Sequence, residues 1–346
     1  MMLSDLKIAG IDEDLGSKVQ QEIDIKTKPP GSLGKIETLA LQMALAQNTE
    51  APVADPAHLL IFAGDHGLVE EGVSAWPQEV TAQMVLNFLG GGAAANVFAR
   101  TNGVEITVAD AGVAGDLPDA PGLRRAGIRK GTRNAAREDA MNRDELDRAL
   151  RFGAGLATKK VESGARVIAL GEMGIGNTAS AALLGHVIDG LDLRALTGPG
   201  AGLDAGGVSR KFEILERTSA RRAVSGPIDA LAAFGGFEIA AMAGALIGAA
   251  SAGAVLLVDG FISTAAALAA VRARPEAAPM VFYAHRSHEP GHRLLLDALG
   301  ATPLLDLDMR LGEGTGALLA LPLLRASCSM LSDMATFESA GVSGKD

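Results

Sequence analysis

The stretch "RVIALGEMGIGNTASAALLGHVIDG" (166–190) decides the fold. It opens with the apolar run 167–170, whose length suits a fully buried strand. A glycine-rich segment follows, and the alanine- and leucine-rich remainder has a helical pattern. A continuous apolar run, as opposed to an alternating one, is typical of a parallel strand covered on both faces. The stretch therefore predicts a strand, a tight turn and a helix, which together form the repeating unit of a parallel α/β sheet.

Similar apolar runs recur along the chain, with alanine-rich helical patterns between them. They occupy 58–67, 104–112, 255–261, 280–287 and 303–310. We predict an α/β fold whose mostly parallel, Rossmann-like sheet has about six strands flanked by helices. Ligands bind beyond the carboxyl ends of such strands, so the polar residues there are expected to share a crevice. These residues are Asp65, His66, Asp110, Glu172, Asp259, His285 and Arg286.

Both ends of the chain have a different pattern. The first 50 or so residues predict a helix, a turn at "TKPPGSLGKIE" and a second helix, and the chain from 314 on is helical with a break near Pro322. We expect the two ends to pack together. The predicted domains are a large α/β domain over 55–308 and a small helical domain formed by 1–54 with 309–346.

Composition restricts the class of protein. The chain has 346 residues, with 31 Lys+Arg against 41 Asp+Glu and only 3% aromatic residues. These values argue against nucleic-acid binding, which needs basic patches and stacking side chains. Cys328 is the single cysteine, which excludes an internal disulfide and a cysteine-rich zinc site and fits a reducing cytoplasm.

The acidic start of the chain is not a signal peptide, so a cytoplasmic location is expected. The uncharged segment 239–258 is about as long as a membrane span. Its Ser-Ala-Gly interruption and acidic flanks favour a buried helix, a turn and a strand, and we expect no stable membrane insertion.

Two glycine-rich loops have the composition of anion sites. In "GEMGIGNTAS" (171–180), the glycines let backbone N–H groups face an anion at a helix N-terminus, which Asn177 and Thr178 are expected to cap. The spacing resembles a P-loop with asparagine in place of lysine, which favours a monophosphate over nucleoside triphosphate hydrolysis. A tight turn without a ligand remains an alternative. "TGPGAGLDAGGVSRK" (197–211) is a weaker second candidate, with Lys211 adding positive charge.

Other side chains suggest a base pocket and an anion contact. Ser74, Trp76 and Gln83 are candidates to line a pocket for a flat aromatic ligand, although Trp76 equally suits core packing. Arg286 follows a predicted strand and is suited to bidentate binding of a phosphate or carboxylate. His66, His285, His288 and His292 fit no metal-binding pattern, so each is interpreted as a hydrogen-bonded structural histidine.

Glu313 lies between two glycines in "RLGEGTGALLALPLLRA" (310–326). An acid at this position is favoured by the dipole of the following helix. A general base is the alternative, and the residues alone favour the helix-start interpretation.

Taken together, these motifs resemble the family of nicotinate-nucleotide:dimethylbenzimidazole phosphoribosyltransferases. The matching segments are "KPPGSLGKIE", "AGDHG", "GVSAWPQEVT", "GEMGIGNT", "TGPGAGLD", "VDGFISTAAAL", "AHRSHEPGH", "RLGEGTGA" and "SDMATFESAGV". They span 28–342, nearly the whole chain. Two positions depart from the family pattern, Trp76 where tyrosine is expected and Asp308 where glycine is expected.

The resemblance implies a fold, a reaction and a set of site residues. It implies a large parallel-sheet domain, a small helical domain, a homodimer, and transfer of phosphoribose from nicotinate mononucleotide to 5,6-dimethylbenzimidazole. Glu313 is the implied general base and Glu172 a second catalytic residue. The implied phosphate and ribose contacts are Gly174, Gly176, Asn177, Thr178, Gly200, Gly202 and Lys211. The base contacts are Ser74, Gln83, Leu311 and Gly312.

The implied chemistry suits a site built from carboxylates. Nicotinate leaves as a neutral pyridine nitrogen, whereas the benzimidazole N–H proton needs one base. A carboxylate such as Glu172 near the ribose would stabilise positive charge in the transition state. No pyrophosphate leaves, so neither a metal nor another cofactor is expected. Alternatives are a paralogue that uses adenine or a phenol, a non-catalytic nucleotide or base binder, and, ranked lowest, a P-loop NTPase.

Overall fold

The computed structural model describes residues 5–343 and contains one sheet of six parallel strands. The strands are β1 (Ala57–Gly64), β2 (Glu105–Gly112), β3 (Leu123–Arg125), β4 (Val167–Met173), β5 (Val255–Val258) and β6 (Val281–Tyr283). Their order is β3-β2-β1-β4-β5-β6, so the direction of winding reverses between β1 and β4. That reversal opens a crevice beyond the carboxyl ends of the two strands. The predicted parallel α/β sheet is confirmed.

Thirteen α-helices are found in the described residues. The first seven are α1 (Glu13–Asp24), α2 (Lys35–Gln47), α3 (Glu79–Gly90), α4 (Ala94–Thr101), α5 (Arg143–Glu162), α6 (Asn177–Asp189) and α7 (Leu193–Leu196). The others are α8 (Ala205–Ser219), α9 (Pro227–Phe234), α10 (Phe237–Ser251), α11 (Phe261–Ala273), α12 (His292–Ala298) and α13 (Thr315–Asp333). Short 3₁₀ turns lie at Gly67–Glu71 and Pro275–Met280.

The long apolar segment 239–258 divides as expected into α10, a turn and β5. Helix α10 is buried along nearly its whole length and packs across β1, β2, β4 and β5. By length and composition alone, α13 is the helix among residues 5–343 that could cross a membrane. Since 61% of its most apolar window is buried within the fold, α13 also satisfies the description of a core helix.

Two strand predictions differ from the structure. The run 303–310 is not a strand: the Leu304 N–H donates to the Tyr283 carbonyl at the end of β6 and the Leu305 N–H to the Ala284 carbonyl just after it, and the chain then leaves the sheet. Its later residues are largely exposed, so no apolar face holds them against the sheet. The sixth strand is β3 instead, which is only three residues long and depends on pairing with β2.

The helices of the two ends form an apolar cluster of their own. Its buried members are Leu15, Val19, Ile23, Ala40, Ala44, Met330 and Leu331. The predicted break near Pro322 is wrong, since α13 is continuous. Burial of Leu318, Leu321 and Leu324 on both sides of the proline offsets the roughly 3 kcal/mol that an interior proline costs. The division into 55–308 and 1–54 with 309–346 stays a prediction, and its outermost residues, 1–4 and 344–346, lie outside the described part.

Candidate active site

A cavity of about 450 Å³ lies at the carboxyl edge of the sheet, at the reversal between β1 and β4. Its walls come from the ends of β4 and β6, from the segments before α3 and α13, and from the loop before α8. It brings together every site residue that the family resemblance implied, except Gly202 and Lys211. The residues that line the cavity as predicted are Ser74, Gln83, Glu172, Gly174, Gly176, Asn177, Thr178, Gly200, Leu311, Gly312 and Glu313.

The two remaining residues lie outside the cavity wall. Gly202 is exposed and has φ +121°, so it serves a turn in the loop before α8. Lys211 is buried behind that loop, where its Nζ donates to Thr178 Oγ1 at 2.8 Å and to the Gly198 carbonyl at 3.2 Å. Burial lowers the pKa of Lys211 to about 8, although nearby Glu289 opposes the shift. Lys211 therefore supports the loop from behind.

Helix α6 points its N-terminus at the cavity. Its N-cap is Gly176, with φ +93°, so the prediction that Asn177 and Thr178 cap this helix is wrong. The Asn177 amide donates instead to the Glu172 carboxylate, and the Thr178 hydroxyl accepts from Lys211. The N–H groups of Asn177 and Ala179 already donate to the Gly174 and Gly176 carbonyls, so the cavity faces mainly the positive end of the helix dipole. This end of the cavity is therefore suited to an anion such as phosphate.

Glu172 occupies the end of β4 and is 6% exposed. Burial, followed by the negative charges of Asp259 and Glu238, raises its pKa to about 8. Hydrogen bonds from the Asn177 side chain and the Glu313 backbone oppose this shift. Glu172 is therefore mainly protonated at neutral pH.

Glu313 lies just before α13, but its carboxylate contacts the N-terminus of a different helix, α4. Its Oε2 accepts the N–H of Ala95, in the first turn of α4, at 3.2 Å. Burial raises the pKa of Glu313, the Ala95 N–H lowers it, and Asp259 raises it. The helix that Glu313 serves is therefore α4 and not the following helix α13, as the helix-start interpretation expected. The role of Glu313 as general base stays a prediction, for a cavity-lining carboxylate with a raised pKa.

A second group of ionisable residues lies beneath the cavity. His66 Nε2 is 2.6 Å from Glu238 Oε1, and its Nδ1 is 2.9 Å from Ser180 Oγ. A serine, a histidine and an acid in this order resemble a hydrolytic triad. All three are almost completely buried and none lines the cavity, so the histidine is structural, as predicted. Within residues 5–343, no three His, Cys, Asp or Glu side chains are grouped to hold a metal ion.

The shared crevice is only partly confirmed. Glu172 and His285 line the cavity, and Asp259 lies directly beneath the 312–314 loop. Asp110 instead lines a separate cavity of about 370 Å³. Arg286 points away to the surface, where it pairs with Asp306 at 2.5 Å, so its prediction as the anion contact of this crevice is wrong.

Comparison with known proteins agrees with this geometry. A family model described as phosphoribosyltransferase matches residues 8–342. The chain is 54% identical over 339 residues to nicotinate-nucleotide–dimethylbenzimidazole phosphoribosyltransferase of Ralstonia nicotianae, covering 97% of this chain and 96% of that one. It is 51% identical over 338 residues to the protein of that name from Cupriavidus necator, covering 97% and 98%.

The chain belongs to this phosphoribosyltransferase family.

A crystal structure of the Thermus thermophilus protein of the same name has the same architecture. Its TM-score is 0.92 at 45% identity, and the match covers 97% of this chain and all of that one. The likeness therefore extends over the whole described fold.

In this member of the phosphoribosyltransferase family, several wall residues were not predicted. They are Val73, Val80, Met84, Met173, Ile175, Pro199, Ala201, Gly260, Phe261, Ile262, Ser263, Ser287, Glu289 and Arg310. Several of these residues, at 260–263 and 287–289, come shortly after β5 and β6. Their position after a strand was the sequence signal that could have identified them as wall residues. Arg310 adds a positive charge to the wall, and its only signal was its place two residues before Gly312.

Trp76, one of the two departures from the phosphoribosyltransferase pattern, lines the mouth of the cavity. Its indole N–H donates to the Ala201 carbonyl at 2.7 Å and so connects the predicted base segment to the loop before α8. Its side chain is half exposed, which rules out plain core packing. Asp308, the other departure, is exposed, has φ +54° and lies outside the cavity wall.

Proposed function

We propose that the chain transfers the 5-phosphoribosyl group of nicotinate mononucleotide to 5,6-dimethylbenzimidazole, giving α-ribazole 5′-phosphate and nicotinate. One observation carries this proposal: two buried carboxyl groups with raised pKa, Glu172 and Glu313, face a cavity that the N-terminus of α6 closes. That arrangement offers a base and an anion site in one enclosure. The named relatives support the same reaction.

The phosphate is assigned to the end of the cavity at α6 and the loop before α8. The positive end of the α6 dipole faces this part of the cavity, and Gly200 allows a close approach of the ligand to the backbone. Lys211 adds positive charge from behind Thr178. Ser74, Gln83, Leu311 and Gly312 are assigned to the acceptor base, at the other walls of the cavity.

Glu313 is the proposed general base. As a benzimidazole nitrogen forms its bond to C1′, the bond from C1′ to the pyridine nitrogen breaks, and nicotinate leaves with that electron pair. The remaining benzimidazole N–H proton passes to the Glu313 carboxylate. Attack opposite the leaving group converts the β-linkage into an α-linkage. Burial brings the pKa of Glu313 up from its ordinary value, which makes the carboxylate a better proton acceptor.

Glu172 is proposed to act on the ribose side. Its raised pKa favours the neutral form, but the pyridinium charge of a bound nucleotide would favour the ionised form. An ionised Glu172 then stabilises the positive charge that develops on the ribose as the glycosidic bond breaks. Binding of the nucleotide is therefore coupled to release of a proton from this residue.

Three further properties are proposed with the function. We expect a homodimer, as the family resemblance implies, and a cytoplasmic protein without membrane insertion. We also propose that 1–54 and 309–346 act as a helical domain beside the α/β domain. Size-exclusion chromatography with light scattering tests the first of these, since a homodimer has twice the 35.3 kDa mass of one chain.

A product assay tests the reaction. The purified protein is incubated with nicotinate mononucleotide and dimethylbenzimidazole. The products are separated by chromatography and identified and quantified by mass spectrometry. We expect equal amounts of nicotinate and of the benzimidazole riboside phosphate. Competition with adenine and a phenol identifies the preferred acceptor, and product formed only with one of those would favour the paralogue. Binding of the nucleotide without product from any acceptor would contradict the proposal.

Replacing the base tests its assignment. Glu313→Gln keeps the size of the side chain and its contact with Ala95 but cannot accept the proton. We expect kcat to fall by roughly 10²–10⁴-fold, as for loss of other general bases, with little change in KM for the nucleotide. Glu162→Gln, at an exposed position on α5, is the matched control and should behave as wild type. Turnover of Glu313→Gln close to that of the control would refute the assignment.

A further inference from the structure

The loop that carries Glu313 has an unusual backbone. Gly312, Glu313 and Gly314 are three successive residues in the left-handed region, with φ values of +86°, +64° and +86°. Glycine adopts this conformation freely, but for glutamate it costs on the order of 1 kcal/mol or more. Such a conformation persists only where the surroundings enforce it, so the contacts that hold this loop are informative.

Asp259 supplies the principal contact. It follows β5, is 2% exposed and does not line the cavity. Its Oδ2 accepts the N–H of Gly314 at 3.1 Å, and its Oδ1 accepts the N–H of Ala317 at 3.0 Å. The N-cap residue of α13 is Gly314, which has no side chain. Asp259 therefore satisfies the first turn of α13 from a different element, in place of a local capping residue.

Close packing fixes the same loop on its other sides. The Glu313 carbonyl lies directly over Gly171 of β4, where any side chain would overlap it. Gly316 lies equally close to His285, at the end of β6. Within the loop, the Thr315 hydroxyl donates to the Gly312 carbonyl at 2.7 Å. The position of Glu313 is thus set jointly by the ends of β4, β5 and β6.

Asp259 also contributes charge. The ionisable groups that face Asp259 and Glu313 are Glu172 at the end of β4 and His285, whose Nε2 is 3.6 Å from Asp259 Oδ1. After burial, the negative charge of Asp259 is a further cause of the raised pKa of Glu313, and it also raises the pKa of Glu172.

We propose that Asp259 is a positioning residue for the reaction proposed above: it anchors the first turn of α13 and thereby holds the Glu313 carboxylate against the acceptor base. This inference rests on the proposed function. It assigns Asp259 no contact with substrate, so its loss should affect turnover more than nucleotide binding.

Two substitutions separate its effects. Asp259→Ala removes the hydrogen-bond acceptors, whereas Asp259→Asn keeps one acceptor oxygen and removes the charge. We expect kcat to fall about 100-fold in Asp259→Ala, since a displacement of about 1 Å at a catalytic group costs that much, and KM for the nucleotide to change little. Asp12→Ala and Asp12→Asn are matched controls, because Asp12 caps α1 through its side chain. Asp12→Ala should lower the melting temperature and Asp12→Asn should change it little, and neither should lower kcat.

A titration provides a readout that does not depend on activity. The pKa of Glu313 is measured by carbon-13 NMR of its carboxyl group, assigned with Glu313→Gln. Removing the charge in Asp259→Asn should lower that pKa, and the Asp12 controls should not. Wild-type turnover in Asp259→Ala at equal folded concentration, or an unchanged Glu313 pKa in Asp259→Asn, would overturn the proposal. If wild type made no product, the proposed function would fail, but the titration would still test the contact.

Discussion

The residues of the site are carboxyl groups that the fold has removed from water. Glu172, Asp259 and Glu313 are all at most 6% exposed, and burial raises the pKa of each. Backbone N–H groups oppose these shifts only in part. A buried acid of this kind reduces stability when it ionises, so the burial that suits Glu313 to proton transfer also weakens the fold.

Glu172 allows a direct test of this cost. Its pKa rises from 4.5 to about 8 on folding, so the stability gained from its protonated form is complete below pH 4.5 and is lost as the pH rises through 8. Glu172→Gln cannot ionise. We therefore expect the melting temperature of the variant to exceed that of wild type by a margin that widens between pH 5 and pH 9, measured by thermal denaturation. Its turnover should fall, because the ribose charge loses its partner.

The control for this experiment is the exposed Glu162→Gln, which should track wild type at every pH. Melting curves for Glu172→Gln and wild type that stay parallel from pH 5 to pH 9 would show that Glu172 titrates normally in the folded protein. The argument for its coupling to nucleotide binding would then fail as well.

Single-residue roles could be predicted from sequence only where the signal is local. Glu172 and Glu313 were assigned to the site through the resemblance of their glycine-rich segments to the family, whereas the residues alone favoured a helix start for Glu313. The role of Asp259 was not predicted, since its partner Gly314 lies 55 residues further along the chain. Lys211 was predicted as a phosphate or ribose contact, but its hydrogen bond to Thr178, 33 residues earlier in the chain, holds it behind the loop. Such contacts are decided by tertiary packing.

At the scale of elements, the closest helix pair in the core is formed by α5 and α10. Gly153 on α5 lies against the backbone of Ala241, and Gly244 and Gly248 on α10 lie against Leu150 and Ala154. Without side chains at these glycines, the two backbones approach one another closely. This contact fixes α10 across the sheet. Glu238, in the first turn of α10, contacts His66.

Gly244→Ala tests the close approach. Its methyl group would overlap the Leu150 carbonyl oxygen, so the helices must separate. We expect a loss of about 1–3 kcal/mol in the free energy of unfolding, measured by urea denaturation. Gly155→Ala on α5 is the matched control, because nothing lies within 4 Å of the added carbon. That variant should gain up to about 1 kcal/mol from helix propensity. Equal behaviour of the two variants would contradict the packing argument.

Element type was predictable where a long apolar run or a long helical pattern occurs. Helix α10 followed by β5 was resolved within one uninterrupted apolar segment, because glycine and serine mark the turn. The strand predicted over 303–310 does not form. Its leucines alternate with aspartates as in a strand, but no neighbouring strand pairs with more than two of its residues. Strand β3 carries no apolar run at all and exists through its pairing with β2.

At the scale of the whole molecule, the terminal helices are tied to the main core. Helices α2 and α13 belong to both apolar clusters: Ala44 and Leu331 pack with α1, whereas Met43 and Leu324 pack into the large core. Arg325 on α13 also pairs with Asp55 at 2.7 Å. The proposed small domain therefore shares its helices with the α/β domain, and we expect the two to unfold together.

Ile23→Ala tests this cooperativity. Ile23 of α1 is fully buried in the terminal cluster, and its truncation should cost about 2–5 kcal/mol. Fluorescence of Trp76, the single tryptophan, reports unfolding of the α/β domain, whereas far-UV circular dichroism reports all helices. We expect both midpoints to fall together, and Ile11→Ala, at an exposed position, to leave both unchanged. A lower dichroism midpoint with an unchanged Trp76 midpoint would contradict this expectation. It would mean that the terminal helices unfold on their own, so that α1 is lost while α13 stays in place beside Glu313.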